Sequence, residues 1–293
     1  MDRYSKVLKE SLVPIDKEII KKDLEKISEK LPEFRNAETY AKIFNSIDLT
    51  TLSTTDSQNS VTAFVQRVND FDNEYPQFPN VAAICVFSNF ASTVRSVLEV
   101  SGVKVAVVAG GFPSGQTFTE IKVADTALAI SEGADEVDVV MNLGMFLDGN
   151  YEELCDELIE VKHAAKDAHM KVIIESGALK TPEQIRDASI LAMYSDADFI
   201  KTSTGKVYEG ASPEAAYVMC RCIKEYQEKT GRKVGFKAAG GVRTTEDALF
   251  YYAIVKEVLG EEWLNNQLFR IGASSLANNI LADMLQQPEV KYF

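Results

Sequence analysis

Two lysines and an aspartate stand in apolar runs where charged side chains are energetically unfavourable. Lys201 lies in Phe199-Ile-Lys-Thr-Ser-Thr-Gly-Lys206, Lys237 in Val234-Gly-Phe-Lys-Ala-Ala-Gly-Gly-Val-Arg243, and Asp138 in Glu136-Val-Asp-Val-Val-Met141. Lysine and aspartate are seldom fully buried unless paired. A free lysine amine has a pKa of ~10.4 and is protonated at neutral pH. Burial and a neighbouring cation both disfavour the charged form. Lys237 can be that cation for Lys201. The neutral amine attacks a carbonyl and forms an imine, an electron sink for carbon–carbon cleavage. Asp138 can move the protons that these steps require. For one lysine alone, a structural ion pair with aspartate explains the burial as well. Two lysines on adjacent strands beside Asp138 favour amine chemistry.

A second set of residues suits an anion. Gly240-Gly-Val-Arg243 follows the Lys237 run, Gly272-Ala-Ser-Ser275 precedes a helical segment, and Gly205-Lys206 adds a positive charge. Glycines let backbone N–H groups approach a phosphate, and a helix N-terminus favours it. Metal chemistry and a serine–histidine triad find little support. The two histidines, His163 and His169, fall near the start of a strand, away from these loops. Cys85, Cys155, Cys220 and Cys222 form no Cys-x-x-Cys pair and read as free thiols of a reducing compartment.

Eight short runs alternate with amphipathic segments after residue 42. They are Ile43–Leu49, Val81–Phe87, Val103–Ala109, Glu136–Met141, Lys171–Glu175, Phe199–Thr202, Val234–Ala238 and Phe269–Gly272. Several are almost wholly apolar, as strands covered on both faces are. Thr181-Pro-Glu-Gln184, Ser212-Pro-Glu and Thr244-Thr-Glu-Asp247 carry helix-start signals. Tyr151, Leu154, Leu158, Val161 and Ala165 share one helical face. This alternation predicts an α/β fold, a (β/α)8 TIM barrel. A doubly wound open sheet is the alternative, but no Gly-x-Gly-x-x-Gly follows the first strand. Residues 1–42, with a stripe of Ile15, Ile19, Ile20, Leu24, Ile27 and Leu31, predict a helical extension packed on the barrel. Residues 43–293 form the barrel, in one domain overall. Barrel sites lie at the carboxyl ends of the strands. That end collects Asp48, Thr50, Cys85, Asp138, Glu175, Lys201, Lys237 and the Gly272–Ser275 loop.

A net charge of −13 argues against a nucleic-acid partner. No apolar run approaches the ~20 residues of a membrane helix, and the first ten residues lack a signal-peptide core. A cytoplasmic enzyme with no membrane partner is expected.

These residues together resemble the deoxyribose-phosphate aldolase family of class I aldolases. The resemblance runs from Ile47-Asp-Leu-Thr-Thr-Leu52 to Leu285. It is carried by Ala82-Ala-Ile-Cys-Val86, Gly133-Ala-Asp-Glu-Val-Asp-Val-Val140, Lys171-Val-Ile-Ile-Glu175, the two lysine runs and Arg270-Ile-Gly-Ala-Ser-Ser-Leu276. The resemblance implies that Lys201 forms the Schiff base, Lys237 perturbs it and Asp138 relays protons. It implies that Asp48, Thr50, Cys85 and Lys206 line the substrate pocket. Gly205, Gly240, Gly241, Arg243, Gly272, Ser274 and Ser275 would hold phosphate. The implied reaction is reversible cleavage of 2-deoxy-D-ribose 5-phosphate to glyceraldehyde 3-phosphate and acetaldehyde, in deoxyribonucleotide catabolism. No cofactor is implied, and a homodimer or homotetramer is. Two departures stand out. Lys237 is followed by Ala-Ala-Gly-Gly where many members have Pro-Ala-Gly-Gly or Ala-Ser-Gly-Gly, and the tail ends Lys-Tyr292-Phe293 rather than on tyrosine. A barrel kept mainly as a binding scaffold, or an aldolase with another aldehyde acceptor, is the competing reading.

Overall fold

Short, largely buried segments that alternate with helices close on themselves in the computed structural model, which describes residues 3–293. The strands are β1 (Ile47–Thr50), β2 (Ala83–Phe87), β3 (Lys104–Ala109), β4 (Glu136–Val140), β5 (His169–Ile173), β6 (Phe199–Lys201), β7 (Gly235–Ala239) and β8 (Phe269–Ala273). All pair in parallel, in chain order, and β8 returns to β1 to complete a barrel. The helix starts are where side-chain caps occur. Thr181 accepts from the Gln184 N–H, Ser212 from the Ala215 N–H, and Thr244 forms a capping box with Asp247.

The first strand begins later than Ile43. Asn36 caps a helix over Ala37–Phe44 by accepting from the Thr39 N–H, and Glu38 pairs with Lys42 one turn on. Ile43 and Phe44 are that helix's buried face, so the strand starts at Ile47. The helix therefore crosses the 42/43 division drawn from the sequence. Upstream, Lys17–Glu29 buries Ile20, Leu24 and Ile27 and lies against helices Pro213–Thr230 and Thr245–Leu259. Ile19 of the expected stripe points to solvent. No helix among the described residues is long and apolar enough to cross a membrane.

Alternation along the strands sorts two chemistries. Outward positions such as Val105, Val107, Val137, Val139, Val172, Ile200, Phe236 and Ile271 join the core shared with the helices. Inward positions differ around the ring. Those of β2 and β3 (Ala83, Cys85, Ala106, Val108) form a small apolar wall. Those of β1, β4, β5, β6, β7 and β8 carry charge. Below the charged groups Phe199 closes the barrel axis, with the Lys171 ammonium 5.9 Å and the Arg270 guanidinium 5.8 Å from its ring centre. Gly235, its neighbour on β7, gives that ring room. A Cβ there would stand 2.3 Å from Phe199 Cε1. Gly235→Ala is expected to destabilise the fold by up to about 3 kcal/mol, because neither backbone nor ring can withdraw in a packed barrel. Urea unfolding of the variant measures this; an unchanged midpoint would show that the ring is free to move.

Candidate active site

Lys201 ends β6, and its register partner on β7 is Lys237. Asp138, inward on β4, reaches both. Its Oδ2 accepts from Lys201 Nζ at 2.8 Å and from Lys237 Nζ at 2.7 Å, while Oδ1 accepts from Lys171 Nζ at 3.0 Å. Lys237 also donates to Asp48 Oδ2, and Arg270 donates to Asp48 Oδ1 at 2.6 Å. Glu136 closes the network, accepting from Lys171 at 2.5 Å and from Arg270 at 2.7 and 3.0 Å. All seven side chains are buried, and Lys201 alone borders the open cavity at the barrel mouth.

Four cations face three anions in this cluster. With every group ionised the cluster carries one net positive charge; with Lys201 neutral it balances. Burial is the largest influence on Lys201 and lowers its pKa; Lys237 lowers it further, and Asp138 opposes both. Lys237 goes the other way: burial would lower it, but Asp138 and Asp48 raise it well above the ordinary lysine range. Lys237 thus stays charged beside an amine that loses its proton more readily. For Asp138, burial favours the acid form, but Lys171, Lys201 and Lys237 outweigh it and hold the carboxyl well below its usual range. Asp138 is therefore a carboxylate at rest. Burial pushes the Cys85 thiol up, so it faces the cluster as a neutral group.

Above Lys201 opens a cavity of about 260 Å³, lined by Thr50, Leu52, Thr204, Gly205, Lys206, Ala239–Arg243 and Gly272–Ser275. All seven residues expected to hold phosphate therefore meet at one opening. Gly240 and Gly241 have φ of 85° and 80°, a region that favours glycine. Ser275 precedes helix Leu276–Leu285, whose N-terminus faces the cavity. Lys206 reaches across the mouth and donates to the Leu52 carbonyl at 2.5 Å. Loop anchors fix this rim. Glu175, held in the left-handed region at φ 49°, accepts from the Thr204 N–H at 3.1 Å and hydroxyl at 2.6 Å. The Thr202 hydroxyl donates to the Ala239 carbonyl and accepts from its N–H, both at 3.0 Å.

A family profile described as DeoC/LacD family aldolase matches residues 12–279. The chain belongs to the DeoC/LacD aldolase family. It is a class I aldolase, a carbon–carbon lyase of the kind that works through a lysine imine. A Caenorhabditis elegans protein is 40% identical over 270 residues, covering 91% of this chain and 88% of its own. The deoxyribose-phosphate aldolase of Homo sapiens is 39% identical over 249 residues, covering 82% of this chain and 78% of that one. The tetrameric deoxyribose-phosphate aldolase of Aeropyrum pernix shares the fold. Its TM-score is 0.68 at 24% identity, with 87% of this chain and 96% of that chain covered.

In this DeoC/LacD aldolase some expected residues sit deeper than others. Thr50, Lys201 and Lys206 line the cavity, whereas Asp48, Asp138 and Lys237 lie beneath it within the ion network. Cys85 belongs to the apolar wall. Tyr292 lies elsewhere. Its hydroxyl donates to the Arg67 carbonyl at 3.0 Å, and its ring packs on Phe71 and Tyr75, outside the barrel. Three members of the network, Glu136, Lys171 and Arg270, escaped the sequence reading. The signal was present: Glu136 is two residues from Asp138, Lys171 is its register partner, and Arg270 is that of Lys237. Period two along β4 turns Glu136 inward with Asp138, whereas Lys171 and Arg270 are turned inward only by the register of β5 on β4 and of β8 on β7.

Proposed function

We propose that this protein is a deoxyribose-phosphate aldolase whose Schiff-base residue is Lys201. The observation that carries this reading is a single lysine at the floor of an anion-suited cavity, hydrogen-bonded to a carboxylate that a second, charged lysine also holds. Neutral Lys201 attacks C1 of open-chain 2-deoxy-D-ribose 5-phosphate, and loss of water gives the protonated imine. Deprotonation of the C3 hydroxyl then breaks the C2–C3 bond. The electrons of that bond move into the imine, giving an enamine on Lys201 and free glyceraldehyde 3-phosphate. Protonation at C2 and hydrolysis release acetaldehyde and restore the amine. Asp138 takes and returns protons at Lys201, and Lys237 keeps the amine unprotonated between turnovers.

The glycine loops after β7 and β8 and the Ser275 helix start are read as the phosphate seat, with Arg243 and Lys206 at its rim. Ser275→Glu places a like charge at that seat. It is expected to raise KM for 2-deoxyribose 5-phosphate about 100-fold, while cleavage of unphosphorylated 2-deoxyribose changes little. Steady-state release of acetaldehyde from both sugars measures the difference. Equal effects on the two sugars would place the phosphate elsewhere. The relative from Aeropyrum pernix is tetrameric, and Ile121 and Leu128 of helix Thr119–Ser131, with Phe118 just before it, expose apolar surface; both support a homo-oligomer. Four buried, unpaired cysteines suit a cytoplasmic setting.

A further inference from the structure

Beneath the imine site lies a pair of ions with no direct access to it. Glu136 and Arg270 touch neither Lys201 nor the mouth cavity. Glu136 faces the opposite end of the barrel, where it lines a second cavity ringed by Lys104, Asp135, Lys166, Asp167 and His169. Glu136 Oε1 accepts from Arg270 at 2.7 Å with the His169 Nδ1 3.8 Å away, and Oε2 accepts from Lys171 at 2.5 Å. Each of the two ions shares a partner with the upper layer. Lys171 divides its ammonium between Glu136 and Asp138, and stands 3.7 Å from Asp48. Arg270 divides its guanidinium between Glu136 and Asp48, and Asp48 in turn holds Lys237.

We propose that Glu136 and Arg270 are positioning residues that set the charge state of the Lys201 amine, by controlling how much of the Lys171 and Lys237 charge falls on Asp138. The proposal rests on Lys201 as the Schiff-base residue. Glu136 draws Lys171 away from Asp138 and leaves the Asp138 carboxylate for Lys201 and Lys237. Arg270 neutralises Asp48 and Glu136 and so limits the negative potential under the site. The two therefore act with opposite sign. Removing the Glu136 charge turns Lys171 wholly onto Asp138, and Lys201 faces less negative charge. Removing the Arg270 charge leaves Asp48 and Glu136 less compensated, and Lys201 faces more.

The test is the acid limb of kcat/KM against pH for the full-length enzyme. Glu136→Gln is expected to move that limb down by about one pH unit, and Arg270→Gln to move it up by a similar amount. Glu136→Asp and Arg270→Lys keep the charge and are expected to leave the limb in place. A merely structural pair would lower the rate without moving the two limbs in opposite directions. Limbs that coincide with the wild type, or that move the same way, would overturn the proposal. If one neutral variant does not fold, the direction of the other decides; loss of folding in both would assign the pair to the scaffold and overturn the proposal. Borohydride trapping on the wild-type enzyme separates the two levels. No adduct on Lys201 means that the Schiff-base reading itself has failed, whereas a trapped adduct with unmoved limbs rejects only the role of Glu136 and Arg270.

Discussion

Lys201→Leu is expected to reduce turnover of 2-deoxyribose 5-phosphate by about 10⁴-fold or more while leaving the protein folded. The size follows from the chemistry: without the amine no imine forms, and the C2–C3 bond has no electron sink. Retention of the fold follows from the geometry. Lys201 is buried to 3% exposure at the end of a short strand, and leucine keeps much of the volume of its aliphatic stem. Asp138 keeps Lys237 and Lys171 as partners, at 2.7 and 3.0 Å, so no buried anion is stranded. The cluster would in fact balance, with three cations against three anions. Thermal unfolding of the variant should match the wild type within a few degrees, and stopped-time assays of acetaldehyde release give the rate loss. Loss of less than tenfold would move the imine to another residue.

Asp138→Asn is expected to act in two separable ways. The plateau rate should fall by about 10³-fold, because an amide cannot take the amine proton or return it. The acid limb should move to lower pH. Activity needs the neutral amine, so the rate falls as pH drops through the Lys201 pKa. Burial and Lys237 already hold that pKa below the lysine norm, and Asp138 is the group that opposes them. Remove that anion and four cations confront two, so Lys201 gives up its proton more readily still. A fall in plateau with an unmoved limb would show that Asp138 transfers protons without setting the Lys201 charge. A limb moved to higher pH would reverse the electrostatic order described above. The same substitution should cost up to about 4 kcal/mol of stability, since Lys171 and Lys237 each lose a buried anionic partner.

The barrel was legible because its two periodicities are clean. Most outward strand positions are Val, Ile or Phe, and several helices announce themselves through Thr181, Ser212 and Thr244. The start of β1 was not, because Ile43 and Phe44 read as well in a strand as on the buried face of a short capped helix. Lys201, Lys237 and Asp138 were legible for the opposite reason, as charges inside apolar runs. Lys171 and Arg270 were harder to see. Lys171 follows His-Met at the start of a run and Arg270 follows a single phenylalanine, so each reads as the polar edge of a strand. Only pairing register turns them inward, beside Asp138 and Lys237. Register is a property of two strands at once, and one strand's sequence does not hold it. The resting place of Tyr292 likewise depends on Phe71, Tyr75 and Arg67, far away in the chain.

Borohydride reduction of the enzyme with acetaldehyde, followed by peptide mass mapping, tests the central claim most directly. Lys201 should carry the added mass of one ethyl group, in near-stoichiometric yield, and its peptide in the Lys201→Leu variant should carry none. An adduct on Lys237 or Lys171 with Lys201 unmodified would contradict the assignment of the Schiff base.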